Sequence, residues 1–244
     1  MIDEKAFSSD LNRVFGENGL GGMLNLKRTE QFYRLTVRML EENEKYNLTA
    51  ITDISKIILN HYLDCAAFAK RLPKGASIID IGCGAGFPSL PVAILRDDIR
   101  ITAVDSTAKR VNYVKETAEL LGLTHLEAIV MRAEEGAIKP EYREKFDIAC
   151  ARAVAEMRVL TELCLGYVKV GGKFMAMKGK NAEFELKDAK RAIAIMGGGD
   201  TATEEIKLTG FGETLTHPLI TVTKRSKTPS GYPRVYAKIS KKPL

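Results

Sequence analysis

Cysteine and histidine are scarce in this sequence of 244 residues, and neither forms a cluster. The four cysteines include no Cys-x-x-Cys pair and do not group with the three histidines. This pattern excludes a disulfide framework and a Cys/His metal site, and it is typical of reduced thiols in a cytosolic protein. We therefore expect a cytoplasmic protein with no metal centre.

Long apolar runs are also lacking. No stretch approaches the roughly 18 residues that a membrane span requires, and residues 1–5 lack the apolar core of a signal peptide. The composition, 45% hydrophobic and 28% charged, is that of an ordinary globular protein. A chain of this length suits one substantial domain with an appendage. We expect a monomer with no membrane partner.

Acidic residues are absent after Glu213, whereas seven lysines and arginines follow it. The chain up to Glu213 carries 30 Lys and Arg against 31 Asp and Glu, so the net charge of +6 arises from the C-terminal end. Such a positive field attracts a polyanion such as RNA, and the alternative is a solubilising tail. Tyr232 and Tyr236 stand among these cations and offer faces for base stacking, which favours RNA.

The predicted elements change character at Pro73-Lys74-Gly75. Helices are predicted before this point, whereas strands and helices alternate after it, which indicates an α/β fold with a parallel sheet covered on both faces. We predict a helical extension (1–72), a Rossmann-like domain (73–223) and a basic tail (224–244). The predicted strands are 77–81, 101–105, 126–131, 146–151 and 173–177, with two more near 206–208 and 219–222; the predicted helices between them are 89–95, 109–121, 157–168 and 182–196.

A glycine-rich loop follows the first predicted strand. Ligands bind beyond the carboxyl ends of parallel strands, and Gly82, Gly84 and Gly86 allow the tight turns and close approach needed there. The spacing is Gly-x-Gly-x-Gly with Asp80 two residues earlier, whereas the dinucleotide pattern is Gly-x-Gly-x-x-Gly. Phe87 stands where that pattern wants a small residue, which disfavours a nicotinamide oxidoreductase.

Two further strand ends carry residues suited to a nucleoside. Asp105 ends the second strand, where a carboxylate can accept hydrogen bonds from both ribose hydroxyls, and Ala133-Glu134 follows the third strand, where it can read an adenine edge. Taken singly, Asp105 is typical of a turn and Glu134 of a solvated helix start. In register with the glycine loop they indicate a nucleoside with a small charged tail and no phosphate. We therefore predict a class I methyltransferase that binds S-adenosylmethionine.

Several segments together resemble the bacterial small-subunit ribosomal RNA methyltransferase G family (RsmG, also called GidB), and the resemblance covers nearly the whole chain. One departure is that the loop reads Gly84-Ala85-Gly86-Phe87, where other members often have Pro second and Leu last. The segments are Asn47-Leu48-Thr49-Ala50, His61-Tyr62-Leu63-Asp64, Asp80 through Pro91, Asp105-Ser106 with Lys109-Arg110, Arg152-Ala153, Lys178-Gly179, and the tail Lys224-Arg225, Thr228 through Arg234 and Lys241 through Leu244.

The resemblance implies methylation of a guanosine N7 in the decoding-region loop of 16S rRNA, on free rRNA or on a small-subunit precursor. It implies cofactor contacts from Gly82, Phe87, Ala133, Glu134 and Arg152. It also implies RNA contacts from His61, Lys178 and the tail cations, among them Lys224, Arg225 and Arg234. An alternative function is that of an rRNA-binding assembly factor with a non-catalytic cofactor pocket.

The residues themselves limit the reaction. Methylation of exocyclic amines usually requires an Asn/Asp-Pro-Pro-aromatic motif after the fourth strand, and residues 150–153 lack it. Cys150 lies in an apolar strand with no activating neighbour, which favours a core role over that of a carbon-5 nucleophile. Guanine N7 already presents a lone pair, so alignment and exclusion of water suffice and we assign no catalytic residue.

The sequence leaves the roles of Arg152 and Lys178 open and makes one prediction about the tail. Arg152 can hold the cofactor carboxylate or an RNA phosphate, order the site, or form a structural ion pair. Lys178, at the end of the fifth strand, is placed to meet a phosphate or is an ordinary exposed lysine. The tail is expected to be separable, so that loss of residues 224–244 weakens RNA binding and leaves cofactor affinity intact.

Overall fold

The computed structural model describes residues 2–152 and 154–244, so Ala153 lies outside the described residues. The N-terminal region is helical, as predicted. Asp3, Asn25 and Asp53 begin its helices, because each side chain accepts hydrogen bonds from backbone amides of the first turn. The elements are α1 (Glu4–Glu17), α2 (Leu26–Tyr46), α3 (Ile54–Ile57), a π-helical turn (Ile58–Leu63) and α4 (Asp64–Ala69).

The sheet has seven strands among the described residues, in the order β3-β2-β1-β4-β5-β7-β6. The first five are mutually parallel, whereas β7 lies antiparallel to both β5 and β6. The prediction of a parallel sheet is therefore correct for five strands and wrong for the last two. The strands are β1 (Ser77–Ile81), β2 (Arg100–Asp105), β3 (Leu126–Val130), β4 (Phe146–Arg152), β5 (Val168–Met177), β6 (Gly198–Gly210) and β7 (Glu213–Lys224).

A two-residue turn explains the antiparallel pair. Gly210 pairs with Glu213, and the residues between them, Phe211 and Gly212, have φ values of 54° and 77°. Positive φ at both central positions gives the twist that joins two antiparallel strands tightly. Gly198 and Gly199, which follow the predicted helix 182–196, belong to this hairpin and lie at the start of β6.

The helices of the α/β region are close to those predicted, with two differences. The predicted helix 157–168 ends at Cys164, and Val168 begins β5 instead. The predicted helix 182–196 is divided at Ala189. The helices are α5 (Ser89–Leu95), α6 (Ala108–Leu121), α7 (Ala133–Gly136), α8 (Met157–Cys164), α9 (Ala182–Asp188), α10 (Lys190–Ile195) and α11 (Tyr236–Lys241).

Two hydrophobic cores lie on opposite faces of the sheet. Alternate residues of a strand point to opposite faces, so Ile78 belongs to one core and Ile79 to the other. The helices of the extension share the first core with α5 and α6, since Phe32 and Tyr62 lie in the same buried cluster as Leu90. The extension is therefore packed on the sheet, and nothing in its packing sets it apart as an independent unit.

The basic tail is also packed on the domain. The Lys224 side chain is fully buried; its Nζ donates to Leu165 O at 2.7 Å and lies 3.5 Å from a Glu144 oxygen. Arg234 donates to both carboxylate oxygens of Glu162, whose side chain is fully buried. The tail is therefore tied to the domain by ionic contacts across the junction, and its separability from cofactor binding stays a prediction.

Replacing Arg234 by alanine is expected to destabilise the fold by about 3 kcal/mol, because it leaves the buried Glu162 carboxylate without its counterion. The matched control is Arg225→Ala. Arg225 pairs with Asp200, but both side chains are more than 60% exposed, so its loss should cost less than about 1 kcal/mol. Urea unfolding followed by circular dichroism measures both values; equal losses in the two variants would contradict the buried-pair argument.

Candidate functional site

The glycine loop is held against the second strand by its own backbone. The amides of Gly82 and Cys83 both donate to Val104 O, at 2.8 and 2.9 Å. Gly82 has a φ of 75°, and a Cβ there would lie 2.7 Å from a methyl group of Val154. Gly86 has a φ of 84°, and its Cβ would lie 2.5 Å from the Leu90 side chain. Both positions therefore require glycine, for conformation and for space.

Asp105 joins this loop to the start of α6. One of its carboxylate oxygens accepts the Gly84 amide at 3.1 Å, and the other accepts the Thr107 amide at 2.8 Å. Arg110 lies 3.6 Å from the same carboxylate. Asp105 is 6% exposed and lines the space enclosed by the two loops. Its remaining lone pairs are therefore available to a ligand in that space.

That space is a cavity of about 340 Å³ at the carboxyl ends of β1, β2 and β3. Four of the predicted cofactor residues line it, namely Gly82, Asp105, Ala133 and Glu134. The other five, Asp80, Gly84, Gly86, Phe87 and Arg152, are not part of its lining. Sequence reasoning missed several lining residues that come from distant segments or carry no motif, among them Arg110, Met131, Val154, Leu163 and Tyr236.

Asp80 lies beneath the loop. It is buried, and one carboxylate oxygen accepts a hydrogen bond from Ser89 Oγ at 2.6 Å, which ties β1 to the start of α5. Its other oxygen has no hydrogen-bond partner among residues 2–152 and 154–244. Burial raises the pKa of Asp80 to about 6. Asp80 thus supports the start of α5, whereas its predicted contact with the cofactor stays a prediction.

Phe87 and Arg152 meet in a second cluster, beside the cavity. The His61 ring stacks on the Phe87 ring with centroids 4.4 Å apart and an interplanar angle of 17°. The Arg152 guanidinium lies 5.9 Å from the same Phe87 ring and 2.8 Å from His61 Nδ1. It also donates to Asn60 O and lies 3.4 Å from Asp64. Arg152 therefore forms the structural ion pair that the sequence left as one alternative.

His61 is held from both ends. Thr49, in the Asn47-Leu48-Thr49 segment, lies 3.3 Å from His61 Nε2, and its hydroxyl also accepts the Ile51 amide. The π-helical turn that carries His61 is a rare conformation, often found at functional sites. Burial and then the Arg152 charge lower the pKa of His61 to about 4, so the ring is neutral at pH 7.

Lys178 is 9% exposed and bonds within the protein. Its Nζ lies 2.7 Å from Glu185 and donates to Ala155 O at 2.8 Å, and Glu185 in turn accepts the Met157 amide. These contacts hold the segment after β4 that brings Val154 over Gly82. Lys178 thus supports the segment that carries Val154, and its expected phosphate contact stays a prediction.

The predicted RNA-facing residues are mostly internal. His61 and Lys224 are buried, Lys178 bonds Glu185, and Arg234 bonds Glu162. Of the five, Arg225 has an exposed side chain. The three paired cations, Lys178, Lys224 and Arg234, share one physical cause, since each has a carboxylate partner within the protein. The exposed positive charge of the tail is carried by Lys227, Lys238, Lys241 and Lys242 together with Arg225.

Cys150 is buried among core residues, and burial raises the pKa of its thiol well above the usual range. A thiol in that state is neutral and unreactive. This agrees with a core role. All four cysteines are buried and free. Among the described residues, no helix is both long and apolar enough to cross a membrane.

Replacing Asp80 by asparagine should change how stability depends on pH. Because burial raises its pKa from 3.8 to about 6, wild-type Asp80 favours folding below pH 4 and loses that contribution as the pH rises through 6. The unfolding free energy of Asp80→Asn relative to wild type should therefore rise by roughly 3 kcal/mol between pH 4 and 7.5. Urea titrations across that range measure it.

Asp147→Asn is the matched control. Although burial opposes it, hydrogen bonds from Lys169 and Ser77 lower the pKa of Asp147 to about 2. The contribution of Asp147 is therefore present above pH 4 and is lost as the pH falls through 2, outside the measured window. Its difference from wild type should stay flat from pH 4 to 7.5, and a flat result for Asp80→Asn as well would refute the buried-carboxylate assignment.

Comparison with known proteins agrees with this architecture. A SAM-dependent O-methyltransferase from Thermotoga maritima superimposes with a TM-score of 0.53 at 14% identity, over 78% of this chain and 72% of that one. TYW2 from P. horikoshii, solved in complex with MeSAdo, gives a TM-score of 0.53 at 18% identity, over 66% and 62%. These likenesses confirm the predicted Rossmann-like methyltransferase fold.

Sequence comparison identifies the family. A family model described as GidB, rRNA small subunit methyltransferase G, matches residues 28–210. The ribosomal RNA small subunit methyltransferase G of Clostridium perfringens (strain 13) is 44% identical over 229 residues, which are 93% of this chain and 95% of the relative. That of Lactobacillus acidophilus is 42% identical over 225 residues, or 91% and 93%. The predicted family and enzyme class are confirmed: the chain belongs to the rRNA small subunit methyltransferase G family.

Proposed function

We propose that this protein transfers the methyl group of S-adenosylmethionine to N7 of a guanosine in the decoding-region loop of 16S rRNA. The observation that carries the proposal is the cavity at the ends of β1 to β3, with the Asp105 carboxylate buried at its edge in a chain of this family. The modified atom rests on the family resemblance and on the chemistry of the site.

The residues present fit the cofactor. The cavity volume lies within the roughly 300–1,000 Å³ of small-molecule sites. Asp105 retains acceptor capacity for ribose hydroxyls, and Glu134, 11% exposed, is placed after β3 to accept from an adenine amine. Gly82 lines the cavity and has no side chain, so a ligand can approach its backbone there. When bound, S-adenosylmethionine supplies a methyl group on a positively charged sulfur.

The surrounding side chains suit a reaction that needs no proton transfer. The bound cofactor would supply an electrophilic methyl group, and a guanine N7 already carries the lone pair that accepts it, so no residue would have to remove a proton first. His61 is neutral at pH 7 and the Arg152 charge is paired with Asp64. Their part in the site is to hold Phe87 and to keep water out. Catalysis then rests on alignment, which can contribute roughly 7–11 kcal/mol in favourable cases.

The RNA side is supported by the exposed lysines of α11. Lys238 follows Tyr236, a residue of the cavity lining, by two positions, and Lys241 follows one turn later. Both side chains are exposed, so α11 presents positive charge close to the cavity mouth. Phosphates drawn to this charge would bring an RNA loop to the site.

Methyl transfer tests the proposal directly. Wild-type protein is incubated with radiolabelled S-adenosylmethionine and with either naked 16S rRNA or small subunits that lack the modification. We expect label in the rRNA, and borohydride reduction followed by aniline should cleave the chain at the modified guanosine. Asp105→Ala should lower cofactor affinity about 10- to 100-fold, since hydrogen bonds to a charged group are lost. Asp97→Ala, whose side chain is 85% exposed, is the control.

Binding without transfer would instead support the alternative of a non-catalytic assembly factor. Label at a site that resists aniline cleavage would retain the methyltransferase and overturn the N7 assignment. Calorimetric titration of each variant with S-adenosylmethionine separates loss of cofactor binding from loss of rRNA binding.

The RNA surface makes a second prediction. The double variant Lys238→Ala/Lys241→Ala should bind rRNA with a log–log salt slope shallower by about 1.4, since each single-strand phosphate contact contributes about 0.7. The control is Lys74→Ala/Lys145→Ala. These two exposed lysines precede β1 and β4, so they lie at the amino ends of the parallel strands, whereas the cavity lies at the carboxyl ends. Filter binding between 50 and 300 mM salt (about the range used for such slopes) measures both, and equal slopes in the two variants would overturn the role of α11.

A further inference from the structure

Tyr236 has a position that the sequence does not suggest. Its place among the tail cations predicts a face for stacking RNA bases, yet it lines the cavity together with Gly82, Asp105 and Glu134. It lies more than 100 positions along the chain from each of them. We propose that Tyr236 is a cofactor-binding residue whose ring contacts the adenosine part of S-adenosylmethionine. The inference rests on the proposed use of this cavity.

The tail contacts place Tyr236 firmly. Arg234, two positions earlier, forms the buried pair with Glu162 on α8. Ile239, three positions later, is fully buried in the core that also contains Leu163 and against which Ala133 packs. Tyr236 is therefore anchored on both sides by buried residues, and it lines the cavity together with Ala133 and Leu163.

The exposure of the ring leaves a surface for a ligand. Tyr236 is 43% exposed, although it stands in a segment anchored by buried residues. An aromatic face at the edge of a cavity that holds ribose- and adenine-directed carboxylates suits a planar base, because base–aromatic contact is favourable for any base. Asp105 and Glu134 mark the nucleoside end of the cavity, so the ring is assigned to adenosine rather than to the methionine end.

This position of Tyr236 bears on the expectation that the tail is separable from cofactor binding. If α11 forms one wall of the cofactor cavity, loss of the tail removes a cofactor contact as well as positive charge. Deletion is a poor test, however, because it also removes the partners of Glu144 and Glu162. Single substitutions at Tyr236 avoid this difficulty, since its side chain makes no hydrogen bond within the described part of the chain.

The test is calorimetric titration with S-adenosylmethionine, S-adenosylhomocysteine and 5′-methylthioadenosine, which share adenosine and differ beyond it. Tyr236→Ala should weaken all three by a similar factor of about 5 to 50, the range expected for loss of one aromatic–base contact. Tyr236→Phe, which keeps the ring, should remain within about twofold of wild type. Val235→Ala is the matched control, because Val235 is the preceding exposed residue and does not line the cavity.

Fluorescence gives an independent readout, because the natural chain contains no tryptophan. Tyr236→Trp places a single tryptophan at the cavity, and saturating S-adenosylhomocysteine should quench or shift its emission. Val235→Trp should respond much less.

Unchanged affinities in Tyr236→Ala, with binding by wild type intact, would overturn this inference and leave the proposed function standing. A loss confined to the two ligands that carry the amino-acid tail would overturn the assignment to adenosine. Failure of wild type to bind any of the three ligands would refute the proposed cofactor site itself, and the inference with it.

Discussion

The geometry of the site depends on one buried carboxylate, that of Asp105. Its two oxygens receive backbone amides from two different loops, one after β1 and one after β2. A buried charge is tolerated only where donors surround it, so the loops and the carboxylate hold one another in place. Because the loop amides occupy part of its lone pairs, the rest are directed into the cavity. The same interaction thus shapes the pocket and supplies its polar wall.

The local patterns predicted most of this arrangement. The glycine loop, the Asp105 strand end and the Ala133-Glu134 segment follow successive parallel strands, so their meeting at one sheet edge follows from topology alone. Strand and helix positions were close for the same reason. The antiparallel β6–β7 pair was missed because its turn, Phe211-Gly212, has a non-glycine residue at positive φ, which a pattern of turn residues does not indicate.

The sequence does not show whether a given charged side chain is exposed or paired inside the fold. Lys224 and Arg234 lie in a basic segment, yet each bonds a carboxylate from a distant element, and Lys178 bonds Glu185 on the following helix. Such pairing depends on three-dimensional proximity, with partners 7 to 80 positions away in the sequence. Composition gives the total charge of a segment, but it does not indicate which of the cations in that segment remain exposed.

The remaining distribution of charge suits the proposed reaction. Carboxylates stand inside or under the cavity, at Asp80, Asp105 and Glu134, whereas the unburied cations of the tail stand outside it. A sulfonium cofactor is cationic, and so is the N7-methylated base, so carboxylates in and under the cavity suit both of these cations. A phosphate backbone needs the opposite sign, which α11 presents at the rim. The two arginines that line the cavity face carboxylates, Arg110 at 3.6 Å from Asp105 and Arg132 at 3.9 Å from Glu134, whereas the exposed cations of the tail remain available to a polyanion.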